Sequence, residues 1–525
     1  MEKNKCKIIG RMKNNKGITL LALAVTIVVL LILTSIGIKL ALGNNGIIGE
    51  AKNAKEQAEI DEEKGIVKRA TTVSLIKSKG SKVEQDTLEK ALNDETGEGK
   101  TEVNDVGDVF EVVFVDSNRY YEVDEEGNIS DVNKITKDNY AGDITKGGRC
   151  DGSEEKPYEI SCIEDLVALS NIVNGEGVRL NKGDVEAVTT ADRNNLLGKN
   201  FILTRNLNFK SKFSYSDSTR TDFGDLNGDD TDGNKLMTEM TTGTGFTSIG
   251  YMDIKQFKGI FDGKNNSINN IYINNTKHSQ ANGGEGLFGL AYESKIMNLK
   301  ISGEINGGVE RTGGIVGFTK GNVKIANCEN RCNMKSNNHI GGIVADEYGK
   351  LIIVNSANYG KEEGTTTGDA AIGGIIGFIN AETNIINCYN QGELISDFTR
   401  ETIGGIVGHT GSSIANVYNC YNVGKITSKG GEGAIIGGYW YNEWISNLKA
   451  CYYLKNCSKY VIGKVGTTQE FDAIECTKQE MQSTEIINKL NEYVENYNQE
   501  NKDNEDFIEL KYWKKGENGY PTFEE

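Results

Sequence analysis

Gly313-Gly314-Ile315-Val316-Gly317 is followed by Gly341-Gly342-Ile343-Val344-Ala345, Gly373-Gly374-Ile375-Ile376-Gly377 and Gly404-Gly405-Ile406-Val407-Gly408. Glu285-Gly286-Leu287-Phe288-Gly289 precedes this run, and Gly433-Ala434-Ile435-Ile436-Gly437 closes it. The second positions fall at 286, 314, 342, 374, 405 and 434, so the steps are 28 to 32 residues. A unit of that size cannot bury an apolar face alone, and a fixed period of such units means that neighbours stack.

A second anchor keeps the same register. Asn298-Leu299, Asn327-Cys328, Asn355-Ser356, Asn387-Cys388 and Asn419-Cys420 each follow the second pentapeptide position by 12 to 14 residues. Asn-x-Gly often comes next, as in Asn390-Gln391-Gly392 and Asn422-Val423-Gly424. Each repeat therefore reads as two or three short β-branched strands separated by Gly and Asn turns.

The predicted fold is mainly β: a right-handed parallel β-solenoid of one coil per repeat, its coils about 4.8 Å apart. Gly286, Gly314, Gly342, Gly374 and Gly405 permit close backbone approach at the bends, and the Ile-Val pair supplies the inward stack. Asn327, Asn355, Asn387 and Asn419 are expected to form a hydrogen-bonded ladder at an equivalent turn. Of the ten cysteines, Cys328, Cys388, Cys420 and Cys451 recur near repeat register and read as small buried residues. Pairing of Cys150 with Cys162, or of Cys451 with Cys457, is the disulfide alternative.

At these residues, over roughly 245–455, the chain resembles the GLUG-motif repeats of bacterial surface proteins, adhesins and the non-catalytic part of some immunoglobulin-cleaving metalloproteases. It departs from that pattern at Ala345 and Ala434, where a bend of different shape is expected.

The N-terminus carries a second signal. A basic leader with Lys3, Lys5, Lys7, Arg11, Lys13 and Lys16 against Glu2 precedes an uncharged stretch from Ile18 to Ile38. As a helix that stretch is about 31 Å long, enough to span a bilayer core. Lys16-Gly17-Ile18-Thr19-Leu20-Leu21 is similar to a type IV prepilin leader. The resemblance implies cleavage between Gly17 and Ile18 by a prepilin peptidase, with methylation of Ile18. Ala22 stands where pilins usually carry Glu, which argues against a self-polymerising major pilin and for a minor or membrane-held pilin-like protein. The basic leader places the N-terminus in the cytoplasm of a bacterial cell and the bulk outside, as a single-pass membrane protein.

The expected organisation is a leader over 1–17, a membrane helix and small α+β pilin-like head over 18–134, and a linker over 135–149. Opening coils over 150–280, repeats over 281–456 and a C-terminal cap over 457–525 complete it. Within the opening coils, Ser161 is expected to cap a helix through Asp165 and Leu169. An inserted acidic loop offers Asp225, Asn227, Asp229 and Asp232 as alternate oxygen ligands for calcium; Asp230 and Leu236 break the usual loop pattern, and a solvated acidic loop is the other reading.

Composition narrows the function. The net charge is −17, and with a basic leader the remainder is more acidic still, which repels phosphate backbones and argues against nucleic acid. Asp346 and Glu347 read as isolated acids, Arg311 and Arg400 do not recur, and His339 and His409 read as turn or surface residues. With no His-Glu-x-x-His motif and no cofactor signature, the chain reads as a non-enzyme; the rival class is a β-helix polysaccharide-active enzyme, a lyase or hydrolase, whose site needs clustered carboxylates on one wall. The expected function is a cell-surface structural or adhesive solenoid, with other pilin-like subunits as partners if it enters a pilus. Its protein or glycan ligand would meet Tyr389, Tyr418, Tyr421, Tyr439, Trp440, Tyr441 and Trp444 as a stacking strip; packing of these rings between coils or against the cap is the alternative.

Overall fold

A computed structural model describes residues 47–525 except 81, 106–108, 115–116, 118, 131–132, 135–141, 147, 149, 182–183, 210–243, 252–253, 275–282, 308–310, 366–369, 401, 412, 440–445, 464–470, 505–506 and 525. Gly17, Ile18 and the apolar stretch to Ile38 lie outside the described residues, as do Asp225, Asn227, Asp229 and Asp232. Among the described residues no helix is long and apolar enough to cross a membrane.

The first described body is small. Helices Ile47–Lys77 and Gln85–Thr96 pack together beside a four-stranded antiparallel sheet of Thr101–Asp105, Val109–Phe114, Arg119–Asp124 and Asn133–Lys134. Alternation along Arg119–Asp124 turns Tyr121 and Val123 into the core, as the two-residue period of a strand requires. Arg119 shares that inward face, and its guanidinium forks onto Glu63 of the long helix at 2.7 and 2.8 Å. Tyr121 donates to the same carboxylate at 3.0 Å, so a charge-assisted network ties helix to sheet.

The stretch expected as a linker is partly structural. Ile144 is buried, and Lys146 forms a buried ion pair with Asp165 at 2.6 Å. Asp165 also accepts from the backbone of Gly142 and Ser161 at 2.7 and 2.8 Å. The helix Ile163–Asn174 has Cys162 at its N-cap with no side-chain cap bond, and in place of the expected Ser161 cap, Asp165 of its first turn holds the backbone of Ser161 that leads into it. A carboxylate held at a helix N-terminus and paired with a buried ammonium outcompetes a neutral hydroxyl there.

Beyond this the chain coils. One turn runs through His339–Gly341 on a short wall, Val344–Tyr348 on a second wall, and Leu351–Val354, Ala357–Asn358 and Glu362–Gly364 on a long, bent wall. The short wall and the second wall are each five-stranded sheets, and the long wall belongs to a 19-stranded one. Among the described residues the strands of successive coils pair in parallel, with Val316 opposite Val344, Val344 opposite Ile376, and Ile376 opposite Val407; the pairing of Ser267–Ile273 with Lys295–Gly307 shifts register once, between Ile268 and Ile271. Ile315, Ile343, Ile375, Ile406 and Ile435 are wholly buried beneath that column. The repeats thus build the predicted β-solenoid.

The second pentapeptide glycine sits at the corner between the two five-stranded walls. A Cβ on Gly374 would lie 2.3 Å from the carbonyl oxygen of Gly405 and 2.4 Å from Cγ of Asn390. The departure at Ala345 does not bend its coil, because Ala345 lies within a strand whose neighbours Val344 and Asp346 keep register on both sides. In the coil of Ala434, Tyr453 occupies the register that Asn422 holds one coil earlier.

The segment expected to cap the end does something else as well. Ala473–Cys476 extends the long wall by pairing parallel with Cys451–Leu454. Helix Thr484–Asn501 and the hairpin Trp513–Lys515 with Pro521–Phe523 then turn back along the side, burying Tyr389, Tyr421, Tyr452 and Trp513 in one cluster. Docking along the side removes these rings from water, which is the physical reason for its course.

All nine cysteines among the described residues are buried free thiols, so neither suggested disulfide forms. Burial lifts the thiol of Cys328 to about 12 and raises those of Cys420 and Cys451. Such thiols are inert packing groups.

Candidate functional site

Two faces of the solenoid carry concentrated polar chemistry. The first is the outer asparagine ladder. Asn298, Asn327, Asn355, Asn387 and Asn419 have φ values between 50 and 58°, a left-handed conformation that asparagine tolerates better than most residues. Each carboxamide donates to the one below: Asn327 to Asn298 at 2.8 Å, Asn355 to Asn327 at 3.0 Å, Asn387 to Asn355 at 2.7 Å and Asn419 to Asn387 at 2.7 Å. The column stops at Ala450, which keeps φ 52° but has no carboxamide, and Oδ1 of Asn419 is left buried without a partner.

A second, inner ladder was signalled only by the Asn-x-Gly spacing. Asn330, Asn358, Asn390 and Asn422 are wholly buried, with Nδ2 to Oδ1 contacts of 2.8, 2.9 and 2.9 Å. Each Oδ1 also accepts from the backbone two residues on, at 3.1 Å from Gly360 and 3.0 Å from Gly392 and Gly424. This Asx turn is why a corner glycine must face it: the carboxamide occupies the space of a side chain.

The outer ladder is occupied along part of its length by the chain itself. Asn355 donates Nδ2 to the carbonyl of Glu509 at 2.8 Å and accepts from the Lys511 amide at 3.1 Å. Asn387 donates to the carbonyl of Lys511 at 2.9 Å and accepts from the Trp513 indole at 2.7 Å. Asn419 donates to the carbonyl of Leu490 at 3.1 Å. A carboxamide offers one donor edge and one acceptor edge, the same pair as a peptide unit, so the ladder grips 509–513 as a neighbouring strand would.

Beside it, the rings of Tyr389 and Tyr421 stack at 5.0 Å and 4°. Trp513 covers both at 5.5 and 5.6 Å, and the hydroxyl of Tyr421 donates to the carbonyl of Pro521. The expected stacking strip is corrected accordingly. Tyr389 and Tyr421 are buried under the clasp, Tyr418 and Tyr439 are half-buried, and Trp440, Tyr441 and Trp444 lie outside the described residues. Toward the first coils the clasp ends, leaving a groove of about 310 Å³ lined by Asn298, Lys300, Asn327, Glu329, Ala357 and Tyr389, with Phe523 at its end.

The second face lies where the two five-stranded walls meet. Asp346 is not isolated: it accepts from Nε of Arg311 at 2.6 Å and from Asn380 at 3.2 Å, and lies 3.3 Å from Nδ1 of His339. His339 stacks on Phe378 at 4.5 Å, and Phe378 stacks on His409 at 5.3 Å. Both imidazoles are therefore packed against a wall rather than standing in turns. Register explains the assembly: Phe318, Asp346, Phe378 and His409 occupy one outward column, while Arg311 and His339 neighbour each other on the short wall. Oδ2 of Asp346, already held by Arg311, is the acceptor within reach of His339 Nδ1 when that nitrogen carries the proton. Among the described residues no hydroxyl or thiol is hydrogen-bonded to His339.

Glu347 faces the opposite way, into the coil. It accepts from the amides of Gly349 at 2.9 Å and Asn380 at 2.6 Å and from Ala381, while burial lifts its carboxyl to about 7. Among the described residues no group of three or more His, Cys, Asp or Glu side chains is placed to hold a metal.

No family model matches the chain, and no curated relative matches it. Two solved structures are similar to it in part. One is described as a "putative immunoglobulin A1 protease" from Bacteroides ovatus: identity is 18%, the match covers 71% of this chain and 94% of that one, and the TM-score is 0.43. Another is described as an IgA1 protease, with 14% identity, 71% of this chain and 27% of that one covered, and a TM-score of 0.42. The reading of the chain as a non-enzyme is corrected on this finding, since both neighbours carry the names of proteases. Asp346, read as isolated, moreover lies in a carboxylate–imidazole–guanidinium cluster.

Proposed function

We propose that this chain is a bacterial surface protein, tethered by its N-terminal apolar segment, that displays a rigid GLUG-type β-solenoid outward as a scaffold for binding partners. The observation that carries the reading is the outer ladder: a cross-coil edge that already grips an extended polypeptide stretch and continues past it. A solenoid held by parallel pairing and two side-chain ladders keeps that edge straight, so a partner meets it without an ordering cost in the scaffold. The right-handed coil sense and the prepilin-type processing between Gly17 and Ile18 belong to the same proposal.

A second reading makes the chain a minor pilin-like subunit. The helix Ile47–Lys77 beside a four-stranded antiparallel sheet favours it, being the arrangement that a pilin-like head would have. The mass of the N-terminal peptide from membrane-extracted protein separates the possibilities. A chain beginning at methylated Ile18 supports processing and directs attention to sheared filaments; one retaining Met1 removes the pilin-like reading.

A further inference from the structure

We propose that the open end of the outer ladder, at Asn298 and Asn327, is a docking groove for an extended segment of a partner protein, bound through its main chain. The inference rests on the reading of the solenoid as a binding scaffold, and not on how the chain is anchored.

The molecule itself supplies the precedent. In the coils of Asn355 and Asn387, carboxamides are satisfied twice, by the ladder and by the backbone of 509–513. Asn327 has the same left-handed backbone and the same ladder bonds, donating to Asn298 and accepting from Asn355. Its Nδ2 has a second hydrogen, which at Asn355 and Asn387 is given to a main-chain carbonyl. Asn298 likewise gives one hydrogen to Asp262 at 2.8 Å. A strand laid beside these two carboxamides continues the pattern that 509–513 begins.

The adjacent column defines what side chain the partner brings. Glu329, Ala357 and Tyr389 share one outward register, with Tyr421 next. Over Tyr389 and Tyr421 the clasp places the indole of Trp513. At Ala357 the column has a methyl where the next coil has a ring, and the groove of about 310 Å³ opens beside it. That volume accepts a large apolar side chain, seated beside Phe523 over the buried Ala357 and the edge of the buried Tyr389. Lys300 and Glu329 at the far end offer both charges, so the recognised element is a main chain with one apolar anchor rather than a strongly charged peptide.

The test is a selection of random linear peptides displayed on phage against the detergent-solubilised full chain, followed by fluorescence anisotropy with the enriched peptides. Asn327→Ala is expected to weaken binding about tenfold, the effect of losing one or two main-chain hydrogen bonds. Ala357→Trp fills the groove without touching the ladder and is expected to abolish binding; circular dichroism and thermal melting establish that both variants fold. Peptides that bind wild type and both variants equally would place binding elsewhere, overturning the groove while leaving the scaffold reading intact. A selection without any binder, or a glycan array whose signal depends on Ala357 where peptides give none, overturns the peptide assignment.

Discussion

The indole nitrogen of Trp513 donates to Oδ1 of Asn387 at 2.7 Å across 126 positions of sequence. This bond joins the C-terminal clasp to the middle of the outer ladder, and the ring that makes it is 1% exposed. Trp513→Ala removes the bond and the cover over Tyr389 and Tyr421, an effect of about 3–5 kcal/mol for a buried tryptophan. Hydrogen exchange followed by mass spectrometry is expected to show lost protection over 484–523, with coils 316–410 keeping theirs. Exchange that rises equally in both regions would contradict a separately docked clasp.

The end of the outer ladder is under-satisfied. Ala450 holds φ 52° without a side chain suited to it, and Asn419 Oδ1 below it has no partner. Ala450→Asn relieves the first and supplies a donor for the second, so a gain of about 1–2 kcal/mol is expected. The melting temperature should rise by several degrees. A fall would mean that the ladder geometry does not extend to this coil.

The buried acids make stability depend on pH with a definite sign. Glu347 titrates near 7 in the folded chain because burial raises its carboxyl, whereas an unfolded glutamate titrates near about 4.3. The folded state therefore holds the proton more tightly. Its contribution is full below about pH 4.3 and is lost as pH rises through 7, an interval worth about 4 kcal/mol. In Glu347→Gln, the melting temperature relative to wild type should rise between pH 4.5 and 8 and coincide at the acid end. Parallel curves would show that Glu347 is not the titrating group.

Glu362 adds a term of the same sign. Burial pushes its carboxyl well up, and it stands in a column with Met334 and Leu394. Only one of its oxygens is bonded, to Asn358 at 2.9 Å. Glu362→Leu matches its neighbours and is expected to stabilise the coil by about 1–4 kcal/mol, with the larger gain at pH 8. Thermal melts at pH 4.5 and 8 measure both the gain and its direction.

The cysteine column predicts tolerance. Ser356 already occupies it, and its Oγ accepts the Cys328 amide at 3.3 Å much as Cys420 Sγ accepts that of Cys388 at 3.3 Å. Cys388→Ser should therefore cost less than about 1.5 kcal/mol. Alkylation of the native chain should leave Cys328, Cys388, Cys420 and Cys451 unmodified, and denaturation without reductant should expose them all. A mass defect of two hydrogens would reveal a disulfide.

What the sequence determined by itself was whatever repeats. A period of 28 to 32 residues, with Gly-Gly-Ile-Val-Gly and Asn in fixed phase, specifies coil, wall and outer ladder. Each copy must solve the same local problem: a corner where a Cβ would strike the next coil and a turn that needs a left-handed residue. The features that occur once were not legible. Arg311 and His339 hold equivalent positions one period apart, but their residue types do not recur, and they meet Asp346 only because stacking aligns columns on two walls. The clasp could be read as an amphipathic helix and an aromatic tail, but not as a segment folded back onto Asn355, Asn387 and Asn419. No spacing encodes that choice; it is made by the area that Trp513 and Phe523 bury on Tyr389 and Tyr421, and such long-range burial exists only once the coils are stacked.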